Sequence, residues 1–505
     1  MKFRDPFFAV LDFGTGGGKC VIFDAVGQCV AVSRQPWSYH TVPYEHSELT
    51  AGFAFDPHAF WTTLCGCAKR AIEESDLPAD AIAGIGTTAQ RLGTIFLDAL
   101  GREIYAAPNM DGRGLAGAFT VIEKLGMERT IQITGHWPPF ISSLSRLLSY
   151  RVDPDRPTVS YVLTLNDWLA YRLSGALASE PSNACESSLL DVSHRQWSRE
   201  VLETFEIDER LLPPLVEPGT QIGRVTPEAA EQSGFAAGTP VFAGGADTQC
   251  ALLGSGVVEP GQSAVVLGTT APVMVVTSTP HTDATGRLWT GCHVVPDRWT
   301  LESNAGDAGI GFEWWLGILG FAGDEAFAQS EELMADGPDA PEPVWSFGGP
   351  QVFDLQSFNP SKPHGILYRH PPFASPPSRG ALLRSLIANL ACAVRANLEQ
   401  IVAARGEVPT TLVLSGGMTR GASLRRCFAR LLRVKMEISR EAHATALGAA
   451  LLAAVGHGTH DDVKTASALM VHHTPLDPAG DQADAFDAYY RQWRETYDRL
   501  KEQSI

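Results

Sequence analysis

Residues 8–32 read FAVLDFGTGGGKCVIFDAVGQCVAV, an apolar run ending around Asp12, a glycine-rich turn, and two more apolar runs. This pattern predicts strands at 8–14, 19–24 and 28–33, joined by turns. The scheme returns at 261–276, GQSAVVLGTTAPVMVV, as strand, Gly268-Thr269-Thr270 turn and strand. Such turns expose backbone N–H groups behind little side-chain bulk and suit phosphate oxygens. Between them, GGADTQC (244–250) places Asp247 after an apolar strand and a glycine pair. Two phosphate-sized turns and a carboxylate imply phosphoryl transfer.

The rest of the chain extends this scheme into two mixed β/α halves. Asp56-Pro57 reads as a helix start, an N-cap followed by proline at the first helical position. IAGIGTT (82–88) predicts a buried strand with TIFLD (94–98) paired to it across a turn. NDWLAYRLSG (166–175) predicts a helix closed by Gly175, and VFAGGAD (241–247) a core strand entering a helix near 248–254. In the second half, a strand near 298–304, a long helix over 380–399, TLVLSGG (411–417) entering a helix near Gly421, and a packed helix at HATALGAALLAAVG are expected. The terminal stripe of Phe486, Tyr489, Tyr490, Trp493, Tyr497 and Leu500 predicts core packing, with a homodimer contact as the alternative. The fold class is α/β: a duplicated domain, 1–256 and 257–505, flanking a central cleft and joined near Gly254–Gly261.

Composition narrows the function. A chain of 505 residues exceeds one core. Its 44% hydrophobic and 19% charged content is that of a globular protein. A net charge of −18 and the lack of a basic tract exclude a nucleic-acid partner. Apolar runs such as TALGAALLAAVG are too short to span a bilayer, so no membrane partner is expected. The start, MKFRDPFFAVLD, enters a strand without a signal-peptide pattern. Nine scattered cysteines without paired metal spacing fit a reducing cytoplasm, most of them as buried small hydrophobes.

Asp247 is the candidate general base, since an attacking hydroxyl needs a proton acceptor. The alternative is an N-cap over the following helix. Gly244 and Gly245 are expected to let substrate or phosphate reach the backbone. Asp12 would face Mg²⁺ through water, with Asp247 as the second metal-side carboxylate. A turn aspartate capping its own backbone is the plainer role for Asp12. The Gly14-Thr15-Gly16 turn and Lys19 form one phosphate-side set, although the P-loop pattern is absent because a strand follows. Gly268 and Thr269 are the candidate γ-phosphate clamp, with Gly416 and Gly417 beneath the adenine or α-phosphate. Met418 and Arg420 belong on a nucleotide wall or at the surface. Gln90, Arg91, Asn109 and Asp111, with Arg113 and Thr248, would bracket a polyhydroxylated acceptor; a solvent ion pair of Asp111 with Arg113 is the alternative. Trp137, Pro138, Pro139 and Phe140 offer an apolar wall or core. Glu302, Asn304 and Asp307 are assigned to the cleft, and His136, His293 and His443 show no metal spacing.

As a set, DFGTGGGK (12–19), IGTTAQR (85–91), DGR (111–113), NDWLAYRLSG, GGAD (244–247), LGTT (267–270), SGGMTRGASL (415–424) and ATALGAALLA (444–453) resemble the FGGY carbohydrate kinases over nearly the whole chain. The resemblance implies two ribonuclease-H-like, actin-like domains, a sugar-binding 1–256 and a nucleotide-binding 257–505. It also implies transfer of the γ-phosphoryl of ATP, with Mg²⁺, to a sugar or polyol hydroxyl. It makes Asp247 the base, Asp12 the metal-side aspartate, Gly268-Thr269 the phosphate turn and Gly416-Gly417 the nucleotide glycines.

Departures bear on the acceptor. Xylulokinase-like members carry Met-His where this chain has Arg91-Leu92. Glycerol kinases share the arginine but follow it with glutamate. Many members place tryptophan at Asn109, and lysine and tryptophan at Arg146 and Ser149. Asn109, Arg146, NDWLAYRLSG and EPSNACESSLLD (180–191) resemble instead the kinases of the open-chain, pentanedione-type signal autoinducer-2. A xylulose-type ketose is the default acceptor and autoinducer-2 the alternative. An actin-like ATPase without a small-molecule acceptor would share the turns but needs no polar pocket at the first-half strand ends. A sugar-binding regulator without catalysis is opposed by the intact Asp12 and Asp247.

Overall fold

The computed structural model describes residues 4–44, 50–137, 140–323, 325–338, 340–354, 364–369, 373, 375–478, 480 and 482–502. Pro138 and Pro139 lie outside them.

The opening stretch folds as β1 (Phe7–Phe13), β2 (Gly17–Phe23) and β3 (Cys29–Pro36). Helix α1 (Pro57–Ser75) follows, capped by the Asp56 carboxylate, which accepts from His58 N and Ala59 N. The first half adds β4 (Ile82–Ala89), β5 (Thr94–Leu97), β6 (Glu103–Ala107) and β7 (Tyr161–Thr164). Helix α2 (Leu165–Ser174) ends at Gly175 in the left-handed region, and β8 (Gln221–Arg224), β9 (Pro240–Ala246) and α3 (Asp247–Leu253) complete the half. The six-stranded sheet runs β8-β9-β4-β1-β2-β3, antiparallel from β1 to β3 and parallel along β1-β4-β9.

The second half repeats the order. Its strands are β10 (Ser263–Val266), β11 (Thr270–Thr277), β12 (Trp289–Cys292) and β13 (Trp299–Asp307). Helices α4 (Gly309–Ile318) and α5 (Arg379–Arg405) precede β14 (Leu412–Ser415), α6 (Ala422–Leu431) and β15 (Met436–Ser439). Then come α7 (Ala444–Gly456), β16 (His473–Leu476) and α8 (Ala483–Lys501). The seven-stranded sheet runs β12-β13-β11-β10-β14-β15-β16. Its β13-β11-β10-β14-β15-β16 portion matches β3-β2-β1-β4-β9-β8 strand for strand and direction for direction. The duplication read from the two glycine turns is therefore a duplication of whole sheets.

Two features differ from the sequence reading. Residues 94–97 do not pair with 82–89, because β1 and β9 already occupy both edges of β4. β5 instead joins β6 and β7 in a separate three-stranded sheet. Helix α7, though it follows the second sheet's strands in the chain, packs on the first sheet with Phe8, Val10, Val21, Phe23 and Phe242. Glycines allow this approach: a Cβ on Gly86 would lie 2.6 Å from the Ala449 carbonyl, and one on Gly448 would overlap the Cys250 carbonyl.

The terminal stripe is core, as expected. Phe486, Tyr489, Tyr490, Trp493 and Tyr497 of α8 pack with α5 and α6 in the second lobe. Helix α5 is long and apolar enough to cross a bilayer but lies inside that same core. All nine cysteines are unpaired and seven are buried.

Candidate active site

Strand ends deliver the carboxylates to the cleft. Asp12 lies near the end of β1, opposite Lys19 of β2, and the register brings Lys19 Nζ to 2.8 Å from Asp12 Oδ2. Asp247 follows β9 as the first residue of α3; the cap position belongs to Ala246, which makes no side-chain cap. The expected alternative of an Asp247 N-cap is thus corrected. Its two hydrogen bonds, from Thr248 N (2.7 Å) and Thr248 Oγ1 (3.0 Å), both fall on Oδ1. Oδ2 has no hydrogen-bond partner among the described residues. Burial pushes the Asp247 carboxyl up to about 6, against the pull of Arg91 and with the push of Asp12. The two aspartates thus share one electrostatic environment. His443, which precedes α7, joins it: burial, then Lys19 and Arg420, hold its imidazole below the usual range.

Gly244 and Gly245 serve a different purpose from the expected one. A Cβ on Gly244 would run into the Thr87 carbonyl, and one on Gly245 into Val294 and Ser182. They admit neighbouring protein, not ligand. Ser182 Oγ also receives Ala246 N at 3.0 Å and itself donates to the buried Glu180. Asp247 is therefore presented from a tightly braced strand end.

The glycine turns keep open space where phosphates would lie. A Cβ on Gly16, Gly268 or Gly417 would meet nothing within 4 Å. Gly268 contributes room and no donor, because its N–H is shared between Val266 O and Thr270 O, each at 3.1 Å. The start of α4 closes on this turn, with Gly309 N donating to Gly268 O at 2.9 Å. Gly416 has φ 98°, and a Cβ there would overlap the Leu267 carbonyl, so only glycine joins the two turns this closely. Met418 is not at the surface; its side chain packs into the second lobe's core beside the cavity lined by Ala308, Gly311 and Phe312. Arg420 is exposed.

On the first-lobe side, Gln90 is buried and accepts Thr15 Oγ1 at 3.2 Å, while its Nε2 donates to Tyr39 OH at 2.8 Å. Asn109 Nδ2 donates to Thr15 Oγ1 at 3.0 Å. The hydroxyl of Thr15, expected beside phosphate, is thus engaged with the acceptor-side set. Asp111 is fully enclosed and accepts Phe53 N (2.9 Å), Tyr105 OH (2.6 Å) and Arg113 Nε (2.8 Å). The Asp111–Arg113 pair exists, but buried and not in solvent. The enclosed Asp111 carboxylate braces the 108–113 loop instead of facing the cleft.

Arg146, noted in the sequence only as a departure, is buried and ties this wall together. It donates to Leu92 O (2.5 Å), Pro108 O (2.6 Å) and Asp111 O (2.9 Å). Leu92 itself sits at φ 64°, the left-handed turn that directs Arg91 inward. Glu302 is the partner of Arg91, Asn304 donates to Glu302, and Asp307 is exposed opposite Thr270. His136 is buried within reach of Glu186. His293 is a structural histidine, its ring between Val257 O and Val295 N, with burial pushing it down to about 3. Trp137 is half-buried and Phe140 exposed, so neither is core.

Family models for the FGGY carbohydrate kinases match both halves, the N-terminal domain at residues 7–254 and the C-terminal domain at 263–457. The chain belongs to the FGGY family of carbohydrate kinases. It is an ATP-dependent phosphotransferase of the sugar kinase class, with the two-domain actin-like fold. An autoinducer-2 kinase from Yersinia enterocolitica is 30% identical over 97% of this chain and 94% of its own length. A xylulose kinase from Rhodospirillum rubrum superimposes with a TM-score of 0.82 at 21% identity, covering 98% of this chain and 99% of that one. Plasmodium falciparum glycerol kinase with ADP gives 0.82 at 18%, with the same coverage. These two structures share the fold.

From sequence, Glu186 is read only as part of EPSNACESSLLD, His136 only for its lack of metal spacing and Arg146 only as a departure; none is assigned a role beside Arg91. Their signal is a charged residue within an otherwise buried stretch, as in EPSNACESSLLD, where Glu186 is 2% exposed.

Proposed function

We propose that this FGGY kinase phosphorylates a hydroxyl of an open-chain, autoinducer-2-type acceptor, with Asp247 as general base. The observation that carries the base assignment is the half-buried Asp247 carboxylate, with one oxygen free of hydrogen bonds among the described residues and near enough to Asp12 for that charge to raise it. The choice of acceptor rests on 30% identity over nearly the full length to an autoinducer-2 kinase. The xylulose kinases share the fold at lower identity. A xylulose-type ketose is therefore the second arm of the test.

In this reading, residues 1–256 bind the acceptor and 257–505 the nucleotide. Gln90, Arg91, Asn109 and Thr248 surround the acceptor, and Asp111 acts through the loop it braces. Gly14, Thr15, Gly16, Lys19, Gly268, Thr269, Gly416 and Gly417 line the path of the phosphates, with Arg420 near its outer end. Mg²⁺ fits the donor set: the charge of Asp12 raises the Asp247 carboxyl, a burden that a cation would relieve. Among the described residues no cluster of three metal-ligating side chains exists, so phosphate oxygens and water would complete its shell. Bound MgATP supplies the phosphoryl group and neutralises its oxygens.

The protein's own work is positional and protonic. Arg91 orients the acceptor, Lys19 balances Asp12, and Asp247 Oδ2 takes the hydroxyl proton as the oxygen attacks. A carboxyl held near 6 is ionised at neutral pH yet basic enough to accept that proton. We place the enzyme in the cytoplasm, with neither nucleic acid nor membrane as partner, and a homodimer would leave this site within each chain.

The test is acceptor-dependent ADP release with dihydroxypentanedione, xylulose and glycerol, for wild type and Asp247→Asn. Dihydroxypentanedione is expected to give the highest kcat/KM. Asp247→Asn should lose at least ~10²-fold in turnover while still binding nucleotide. Preference for xylulose would replace the acceptor, and undiminished turnover in the variant would remove Asp247 as base.

A further inference from the structure

Arg91 sits in a ring of groups drawn from both lobes. Its Nη1 lies 2.6 Å from Glu302 Oε2 and 3.2 Å from Glu186 Oε1, and its Nη2 lies 3.0 Å from Glu302 Oε1. Glu186 comes from the first lobe, but Glu302 is on β13 of the second. Asn304, on the same strand, donates to Glu302 Oε1 at 3.1 Å and fixes the carboxylate. Trp289, across the ladder from Glu302, meets the His136 ring edge-on at 5.1 Å, which returns the ring to the first lobe. His136 Nε2 is 3.9 Å from Glu186 Oε2.

A purely stabilising role explains this ring poorly. Buried ion pairs give little net stability compared with apolar packing. Apolar packing is already present next door, where Ala184, Cys185, Leu190 and Val192 meet Cys292 and Trp299 across the lobes. The ring also buries Glu186 Oε2 and His136 Nδ1 without hydrogen-bond partners among the described residues. Such atoms ordinarily lower stability. What two carboxylates on one guanidinium do well is fix its orientation, since the fork binds each in a defined plane.

We propose that Glu302 is a positioning residue: reaching across from the nucleotide lobe, it aims Arg91 at the acceptor beside Asp247, so the acceptor pocket is complete only with both lobes in place. This rests on Arg91 contacting the acceptor, as in the function proposed above. The same strand carries Asp307, which pairs with Thr270 of the phosphate turn. The strand thus carries both contacts, Glu302 to Arg91 at its middle and Asp307 to Thr270 at its end, with a register shift in between.

The test uses Glu302→Gln and Glu302→Asp in the full chain, each first checked for a cooperative melt. With the best acceptor of the panel, Glu302→Gln should raise acceptor KM at least ~10-fold, the effect of one lost charge-assisted contact. Its kcat should fall less and its ATP KM stay unchanged, and Glu302→Asp should recover part of the loss. Without acceptor, hydrogen exchange over residues 88–95 should quicken in Glu302→Gln, while 266–270 keeps its wild-type rate. Acceptor KM within twofold of wild type, or unchanged exchange over 88–95, overturns the proposal. Quickened exchange in a protein that turns over none of the acceptors supports the hold of Glu302 on Arg91 and counts against the proposed function alone.

Discussion

Asp247 illustrates how burial and chemistry oppose one another at a single residue. Its carboxyl is raised from 3.8 to about 6, first by desolvation. Above pH 6 the folded protein therefore holds a charge that the unfolded chain would hold more comfortably. Stability from this group is greatest below the unfolded value and is lost as pH rises through 6. Asp247→Asn should accordingly melt at a higher temperature than wild type at pH 8, by the equivalent of about 2–3 kcal/mol. The gain should fade as pH falls from 6 towards 4. Paired melts across that range check it; a variant no more stable at pH 8 than at pH 4 contradicts the burial argument. Asp12 and Asp247 were legible in the sequence because each ends an apolar strand beside glycine. Arg91 was legible as a polar strand-end residue, but its partner Glu302 is 211 positions away, and no local pattern joins them.

At the scale of elements, glycines decide what may approach. Gly254 and Gly448 let α3 and α7 cross almost in contact, since a Cβ on either would overlap a carbonyl of the other helix. Gly448→Ala should lower stability by about 1–3 kcal/mol through overpacking. Gly317 of α4 has open space around it, with nothing within 4 Å of where a Cβ would sit, and should accept alanine with no loss. Thermal melts of the two variants test the contrast, and equal melting temperatures would contradict it. The sequence announced the strands, the α1 cap and the Gly175 stop by local rules. It misdirected residues 94–97, since pairing depends on which strand edges remain free, and that is decided by β9, far along the chain. The glycines at 244 and 245 misled for a related reason: a glycine pair signals close approach without saying of what.

At the scale of the whole molecule, the two lobes are not independent. The first sheet's core is closed by α7, from the far side of the 256/257 division, and the β12–β13 hairpin packs against the first lobe. Residues 1–256 expressed alone would expose Phe8, Val10, Val21, Phe23 and Phe242. That fragment should lack a cooperative melt and bind a hydrophobic dye, whereas the full chain should melt cooperatively and leave the dye unbound. A stable, cooperatively folding fragment would contradict the interlocked architecture. Interlocking also fits the proposed chemistry, since Arg91 and the Gly268 turn come from opposite lobes and would have to hold a common geometry.

The proposed chemistry turns on one cleft carboxylate, Asp247, receiving the acceptor's proton. The most direct measurement is the pH dependence of kcat/KM for the best acceptor, at saturating MgATP. An acidic limb falling about tenfold per unit, centred below pH 6 because the bound cation draws the raised carboxyl back towards its ordinary value, is the expected result. A profile flat from pH 4 to 8 would contradict it.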